Sequence, residues 1–237
     1  MKILCIIPAR GGSKGISLKN IRNFGEKPLI AHTIDIAKKC NFFDKIVVST
    51  DNKKIKKISE SYGAEVPILR PKKFSSDTSN IFVVVKHMLN FLEKHQSFIP
   101  DMVIILQPTS PFRTLKMIKK SISLLKNSQG TSVISVATVK EHPVISFSKK
   151  GLYLNPIEKN FEKFSNRQKR TLLFYPTGAI YTFWAKNIFL YKSIYGKNII
   201  PLIINEKEFN LDIDDPYDFF VGEMQLNYWK EYKKFFN

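Results

Sequence analysis

Two short stretches near opposite ends of the chain carry residue types that do chemistry on phosphates. The first is Arg10-Gly11-Gly12-Ser13-Lys14-Gly15, a turn of glycines with one hydroxyl and two cations. Without a Cβ, glycine backbone takes dihedrals closed to other residues and approaches a ligand closely. Consecutive N–H groups in such a turn form an anion-binding concavity. Arg10 and Lys14 add positive charge to it. The second stretch is Leu211-Asp212-Ile213-Asp214. In an extended chain, residues two apart project to the same side. Asp212 and Asp214 therefore face one way and the aliphatics the other. Paired carboxylates repel each other and invite a cation. Mg²⁺ is a hard ion, usually held by one or two carboxylates plus substrate phosphates.

Each stretch alone has a plain structural use, as a tight strand-to-helix turn or as a polar edge. Together they describe nucleotidyl transfer. The metal would bridge the α-phosphate and the attacking group, while Arg10 and Lys14 neutralise the departing pyrophosphate. Such catalysis is positioning and electrostatics, so no nucleophilic side chain is needed. Other chemistries fit less well. The glycine spacing is neither Gly-x-x-x-x-Gly-Lys-Ser/Thr nor Gly-x-Gly-x-x-Gly. No Gly-x-Ser-x-Gly elbow occurs. His32, His87, His95 and His142 lack zinc-ligand spacing.

The elements that must position these residues follow from apolar periodicity. Lys2 to Pro8 reads as a strand buried on both faces, running into the glycine turn. Leu29 to Lys39 has helical spacing. Lys45 to Asp51 is a strand with a polar Ser-Thr-Asp end. Lys53 to Tyr62 is an amphipathic helix closed by Gly63. Glu65 to Leu69 is expected as a short strand leading to Arg70. Ser75 to Ser79 is expected to cap a helix from Ile81 to Lys94. A strand from Met102 to Leu106 ends in Gln107-Pro108-Thr109-Ser110-Pro111-Phe112-Arg113, a turn stiffened by two prolines. A helix from Leu115 to Asn127 and a β-branched strand from Ser132 to Val139 follow.

This alternation argues a doubly wound α/β sheet. Residues 141–175 break it and read as a hairpin and arm projecting from the sheet, of a kind that often meets a symmetry mate. Gly178 to Trp184 returns as a strand. A short helix from Lys186 to Lys192 and a strand from Ile199 to Ile204 come next. Asp215 and Pro216 then open the C-terminal helix as N-cap and first-turn residue.

The 237 residues suffice for one main domain with an appendage. No apolar run is long enough to cross a bilayer. The chain opens on a core strand, which predicts no secretory signal. Cys5 and Cys40 are the only cysteines, a count that predicts a reducing, cytoplasmic setting. The net charge of +18 raises a non-catalytic nucleic-acid-binding alternative. The lysines are dispersed in pairs along helices and turns, however, as on a solvated surface. Their field favours anionic substrates.

The motifs in their order resemble the CMP-sialic acid synthetases, or N-acylneuraminate cytidylyltransferases, along nearly the whole chain. The likeness rests on Ile7 to Gly15 with Lys19-Asn20, on Val48-Ser49-Thr50-Asp51, and on Leu69-Arg70-Pro71 with Ser76-Asp77-Thr78. It continues in Leu106 to Arg113, Arg167-Gln168, Gly178-Ala179-Ile180-Tyr181 and Leu211 to Asp214. The resemblance implies a Rossmann-like, three-layer nucleotidyltransferase fold with a mostly parallel sheet. Residues 1–237 would form a single cytidylyltransferase domain, with 141–175 as a dimerisation arm.

The activity implied is Mg²⁺-dependent transfer of CMP from CTP to the anomeric hydroxyl of a nonulosonic acid, N-acetylneuraminic acid in the first instance, for cell-surface glycan synthesis. Arg10, Gly11, Gly12, Ser13, Lys14 and Asn20 would hold the nucleotide phosphates. Arg70 and the turn at Ser79 would frame the cytosine. Gln107 and Tyr181 would meet the sugar, Asp212 and Asp214 would hold Mg²⁺, and Arg167 would serve the partner's sugar pocket in a homodimer. Two positions depart from the sialic acid pattern. Thr177 stands where Asn is usual, and a lysine common after the His-Pro step is replaced near Ile145. Related enzymes activate legionaminic, pseudaminic or 3-deoxy-manno-octulosonic acid.

Overall fold

The computed structural model describes residues 1–13, 15–76, 78–166, 168, 170–206 and 209–234. Its centre is a six-stranded sheet. In chain order the strands are β1 (Ile3–Pro8), β4 (Lys45–Ser49), β5 (Met102–Ile105), β6 (Ser132–Thr138), β9 (Phe174–Trp184) and β10 (Ile199–Ile203). Their spatial order is β10-β6-β9-β5-β1-β4. β1 pairs parallel with β4 and β5, β10 pairs parallel with β6, and β9 runs antiparallel between β5 and β6. Two small ribbons complete the strands: β2 (Asn23–Phe24) with β3 (Lys27–Pro28), and β7 (Phe147–Lys150) with β8 (Tyr153–Pro156).

Strand alternation sorts the core into two layers. On β1, Ile3, Cys5 and Ile7 pack with Ile30 and Ile34 of α1 (Leu29–Lys38), Ile55 of α2 (Lys53–Ser61), and Ile118, Ile122 and Leu125 of α4 (Leu115–Lys126). Leu4 and Ile6 face the other way. They meet Val85, Met88 and Leu92 of α3 (Ile81–Gln96) and Ile188 of α5 (Asn187–Leu190). Helices thus cover both faces of a mostly parallel sheet, as continuous apolar strands require. A satellite cluster joins Ile16, Phe24, Leu29, Ile213 and Phe219, the last from α6 (Pro216–Lys233). Phe24 meets Phe219 edge-on at 5.4 Å and Phe112 at 6.0 Å. This cluster anchors the acidic segment before α6.

Several boundaries differ from the sequence expectation. Glu65 to Leu69 forms no strand: only Glu65 bridges to β4, and Arg70 N then donates to Thr50 O at 2.7 Å. A single bridge suffices to close that edge. The cap of α3 is Asn80, whose side chain accepts from Phe82 N at 2.9 Å. Asn80 is the closer residue of the capping type. β9 begins at Phe174, inside the expected arm, because Phe174 to Pro176 already pair with β6. Leu211 to Asp214 joins no ladder. Its alternation persists nevertheless, with Leu211 and Ile213 in the satellite cluster.

Candidate active site

A cleft of about 600 Å³ opens where β1 and β5 end. That edge, beyond the carboxyl ends of parallel strands, is where open α/β sheets bind ligands. Pro8, Arg10, Ser13, Gly15, Lys19 and Asn20 line it from the start of the chain. Arg70, Ser79, Gln107 and Thr109 line its middle, and Asp212 and Asp214 come from the far end. The glycine turn and the acid pair therefore share one cavity.

Specific bonds hold these two ends together. Lys19 is buried, and its Nζ donates to Ile213 O at 2.6 Å and to Asp214 Oδ1 at 3.0 Å. Asn20 Nδ2 donates to Arg10 O at 3.0 Å, which pins the turn from within. Gly11 N donates to Asp51 Oδ1 at 2.8 Å, tying the turn to the end of β4. At Gly15 a Cβ would lie 2.6 Å from Asp214 O, so only glycine lets the turn pack on the acidic segment.

The two acids differ in character. Asp212 is half-buried and Asp214 is exposed. Burial raises the Asp212 pKa. The Thr109 hydroxyl bond, Lys19 and Arg113 oppose that rise, and Asp214 adds to it. Asp212 Oδ1 is buried with no hydrogen-bond partner. Ile213 N donates to Thr109 O at 2.8 Å and sets the segment against the turn after β5. Arg70 is buried, which lowers its pKa, with Asp51 opposing and Arg10 adding to the fall. Burial draws the Arg113 guanidinium down to about 9. Arg10, Lys19 and Arg70 thus converge on one concavity beside two carboxylates, an arrangement that can neutralise a bound polyphosphate.

Of the residues singled out from sequence, Arg10, Ser13, Asn20, Arg70, Ser79, Gln107, Asp212 and Asp214 line the cleft. Gly11 and Gly12 sit in the same turn without lining it. A Cβ on Gly11 would meet the Asn52 side chain at 2.8 Å, whereas Gly12 faces open space. Tyr181 is not among the lining residues. It shares a strand face with Phe183 and packs on the α3 core layer, and burial pushes its hydroxyl up to about 12. Lys14 and Arg167 lie outside the described residues.

Sequence reasoning gave no role to Lys19, Asp51, Thr109 or Arg113. All four lie within the motifs that carry the family resemblance, and a charged residue closing a proline-rich apolar turn was a usable signal. Thr177, which departs from the sialic acid pattern, is buried, and its hydroxyl donates to Ser135 Oγ at 2.8 Å.

The chain is similar to several known proteins along nearly its whole length. A family model described as cytidylyltransferase matches residues 4–233. The CMP-N,N'-diacetyllegionaminic acid synthase of Legionella pneumophila subsp. pneumophila is 38% identical over 232 residues, covering 96% of this chain and 98% of that protein. The N-acylneuraminate cytidylyltransferase of Escherichia coli O18:K1:H7 is 33% identical over 220 residues, covering 92% of this chain but 50% of that longer protein. A solved CMP:2-keto-3-deoxy-manno-octonic acid synthetase complexed with CTP shares the fold with a TM-score of 0.70 at 16% identity, over 95% of this chain and 98% of that one. The chain belongs to the cytidylyltransferase family and is a nucleotidyltransferase.

Proposed function

We propose that this enzyme transfers CMP from CTP to the anomeric hydroxyl of a nonulosonic acid and releases pyrophosphate, with an acid of the legionaminic type as its preferred substrate. The observation that carries the reading is the single cleft in which Arg10, Ser13 and Lys19 of the N-terminal turn face Asp212 and Asp214. In the transfer, the sugar oxygen bonds to the α-phosphorus, the bond to pyrophosphate breaks, and the hydroxyl proton is lost. Arg10 is placed to neutralise the triphosphate, and Arg70 and Ser79 flank the space for the base.

The residues fit Mg²⁺. Asp212 Oδ1 is a buried acceptor without a partner, and Asp214 stands beside it on the same cleft. Among the described residues no group of three or more His, Cys, Asp or Glu could hold a metal, so substrate oxygens and water would complete the shell. Asp212 and Asp214 would hold the ion, which when bound supplies positive charge beside the phosphate oxygens. The expected homodimer and cytoplasmic setting belong to the same reading. Leu152, Tyr153 and Leu154, at the turn and start of β8 in the β7–β8 hairpin, are 93%, 76% and 64% exposed, as suits contact with a second copy.

Two observations favour a legionaminic-type acid. The legionaminic relative matches over nearly its full length, and Thr177 and the stretch near Ile145 depart from the sialic acid pattern. The Gln107 to Pro111 turn, which leans towards the sialic type, keeps N-acetylneuraminic acid as the second reading. Pyrophosphate release measured with CTP, Mg²⁺ and a panel of acids decides between them. We expect kcat/KM to be about tenfold higher for N,N'-diacetyllegionaminic acid, a difference of about 1.4 kcal/mol. The reverse order makes N-acetylneuraminic acid the substrate, and no turnover with any acid overturns the reading. Asp212→Ala should lower kcat by about 10²-fold or more with circular dichroism unchanged. Near-normal turnover would remove the carboxylate from the reaction.

A further inference from the structure

Arg113 is 4% exposed and ends the proline-rich turn after β5. Its guanidinium bonds three separate parts of the fold. Nε donates to Ala179 O at 2.9 Å, Nη1 donates to Thr33 Oγ1 at 2.7 Å, and Nη2 donates to Gln107 O. Thr33 belongs to α1, Gln107 lines the cleft, and Ala179 lies on β9.

The β9 contact falls where the strand departs from regular pairing. The β6–β9 register shifts between Ile134 and Val136. Ser135 Oγ fills the irregularity, accepting from Ile180 N at 2.9 Å and donating to Ile180 O at 3.1 Å. Gly178 has φ +76°, and a Cβ there would lie 2.7 Å from Gln107 Oε1 and 3.2 Å from Asp212 Oδ2. Backbone at Gly178, the Gln107 amide and the Asp212 carboxylate therefore meet at one point. Arg113 holds two of these three segments.

A buried guanidinium is costly unless its donors are satisfied. Three directed donors on separate nitrogens are something Arg offers and Lys does not. Charge-assisted bonds in a dry site are also the strong ones.

Resting on the reading that the cleft takes a nonulosonic acid, we infer that Arg113 is a positioning residue: it fixes Gln107 and the Gly178–Ala179 backbone against Asp212 and so sets the sugar side of the cleft. It acts through these groups, and CTP binding does not depend on it.

The test uses Arg113→Lys and the milder Thr33→Val, which removes only the Nη1 acceptor. Folding is checked by circular dichroism and thermal melting, CTP affinity by calorimetry, and the acid by steady-state kinetics. For Arg113→Lys we expect the CTP Kd within about twofold of wild type and kcat/KM for the acid down about tenfold or more, since misplacement of 1 Å can cost about 10²-fold. Thr33→Val should show a smaller loss in the same direction. Folded Arg113→Lys with acid kinetics within twofold of wild type overturns the proposal. If Arg113→Lys does not fold, unchanged acid kinetics in Thr33→Val overturn it. A crystal structure of the folded variant reads positioning without any substrate. Gln107 and Gly178–Ala179 should shift by about 1 Å, and an unmoved segment overturns the inference even if turnover falls. Wild-type enzyme that binds CTP but turns over no acid defeats the functional reading instead, and the displacement then decides the positioning.

Discussion

Gly178 shows how much of this cleft depends on what is absent from one residue. Its φ of +76° is a conformation that a side chain resists, and its missing Cβ leaves room for Gln107 Oε1 at 2.7 Å. Gly178→Ala should destabilise the fold by roughly 1–2 kcal/mol for the left-handed backbone alone. It should also push the Gln107 amide out of line and raise the KM for the acid more than that for CTP. A urea titration with steady-state kinetics on the folded variant checks both, and equal changes in the two KM values would separate Gly178 from the sugar side. At this scale the sequence reveals residues whose type announces their use, such as Arg10 among glycines or paired Asp212 and Asp214. Lys19 and Arg113 stand out by type and place, but what they do is defined by partners far along the chain. Lys19 bonds Ile213, 194 positions away, and Arg113 bonds Ala179, 66 away. No local spacing encodes such pairs.

The start of α6 links helix formation to the site. Asp215 Oδ1 accepts from Asp218 N at 2.9 Å, while Asp218 Oδ2 accepts from Asp214 N at 2.9 Å and from Asp215 N at 3.2 Å. This reciprocal cap satisfies donors that a helix start leaves open, and it also fixes the backbone of a cleft acid. Asp218→Ala should cost about 1 kcal/mol of stability, the usual worth of a cap, and should lower kcat because Asp214 loses its anchor. Unchanged kcat beside lowered stability would show that Lys19 alone places Asp214. The cap was legible in Asp215-Pro216-x-Asp218, since capping chemistry is local. The expected strand from Glu65 to Leu69 failed for the opposite reason: pairing is decided by what lies alongside, and one bridge to Val47 meets the need at that edge. The α3 cap went to Asn80 rather than to the serines before it, and both satisfy the same rule.

For the whole molecule, apolar runs separated by amphipathic helices made the layered sheet legible, because burial on both faces leaves a strand few polar positions. The antiparallel insertion of β9 between β5 and β6 was not legible. It is set by antiparallel pairing with β5 and β6, which local periodicity does not encode. The hairpin in that excursion is two-stranded, and such ribbons are marginal without further packing. Phe147 meets Phe161 at 5.1 Å beneath it, yet Leu152, Tyr153 and Leu154 project outward. An apolar tip of this kind is better satisfied against another protein surface than in water. The chain should therefore sediment at twice its 27.4 kDa mass. Replacing Leu152→Asp together with Leu154→Asp should shift it to the monomer with the melting of the sheet domain little changed. Burying two carboxylates in an apolar contact costs several kcal/mol, enough to lower dimer affinity by about 10²-fold or more. A wild-type monomer at micromolar concentration, or a double variant that still sediments as a dimer, would place the hairpin outside any interface between copies.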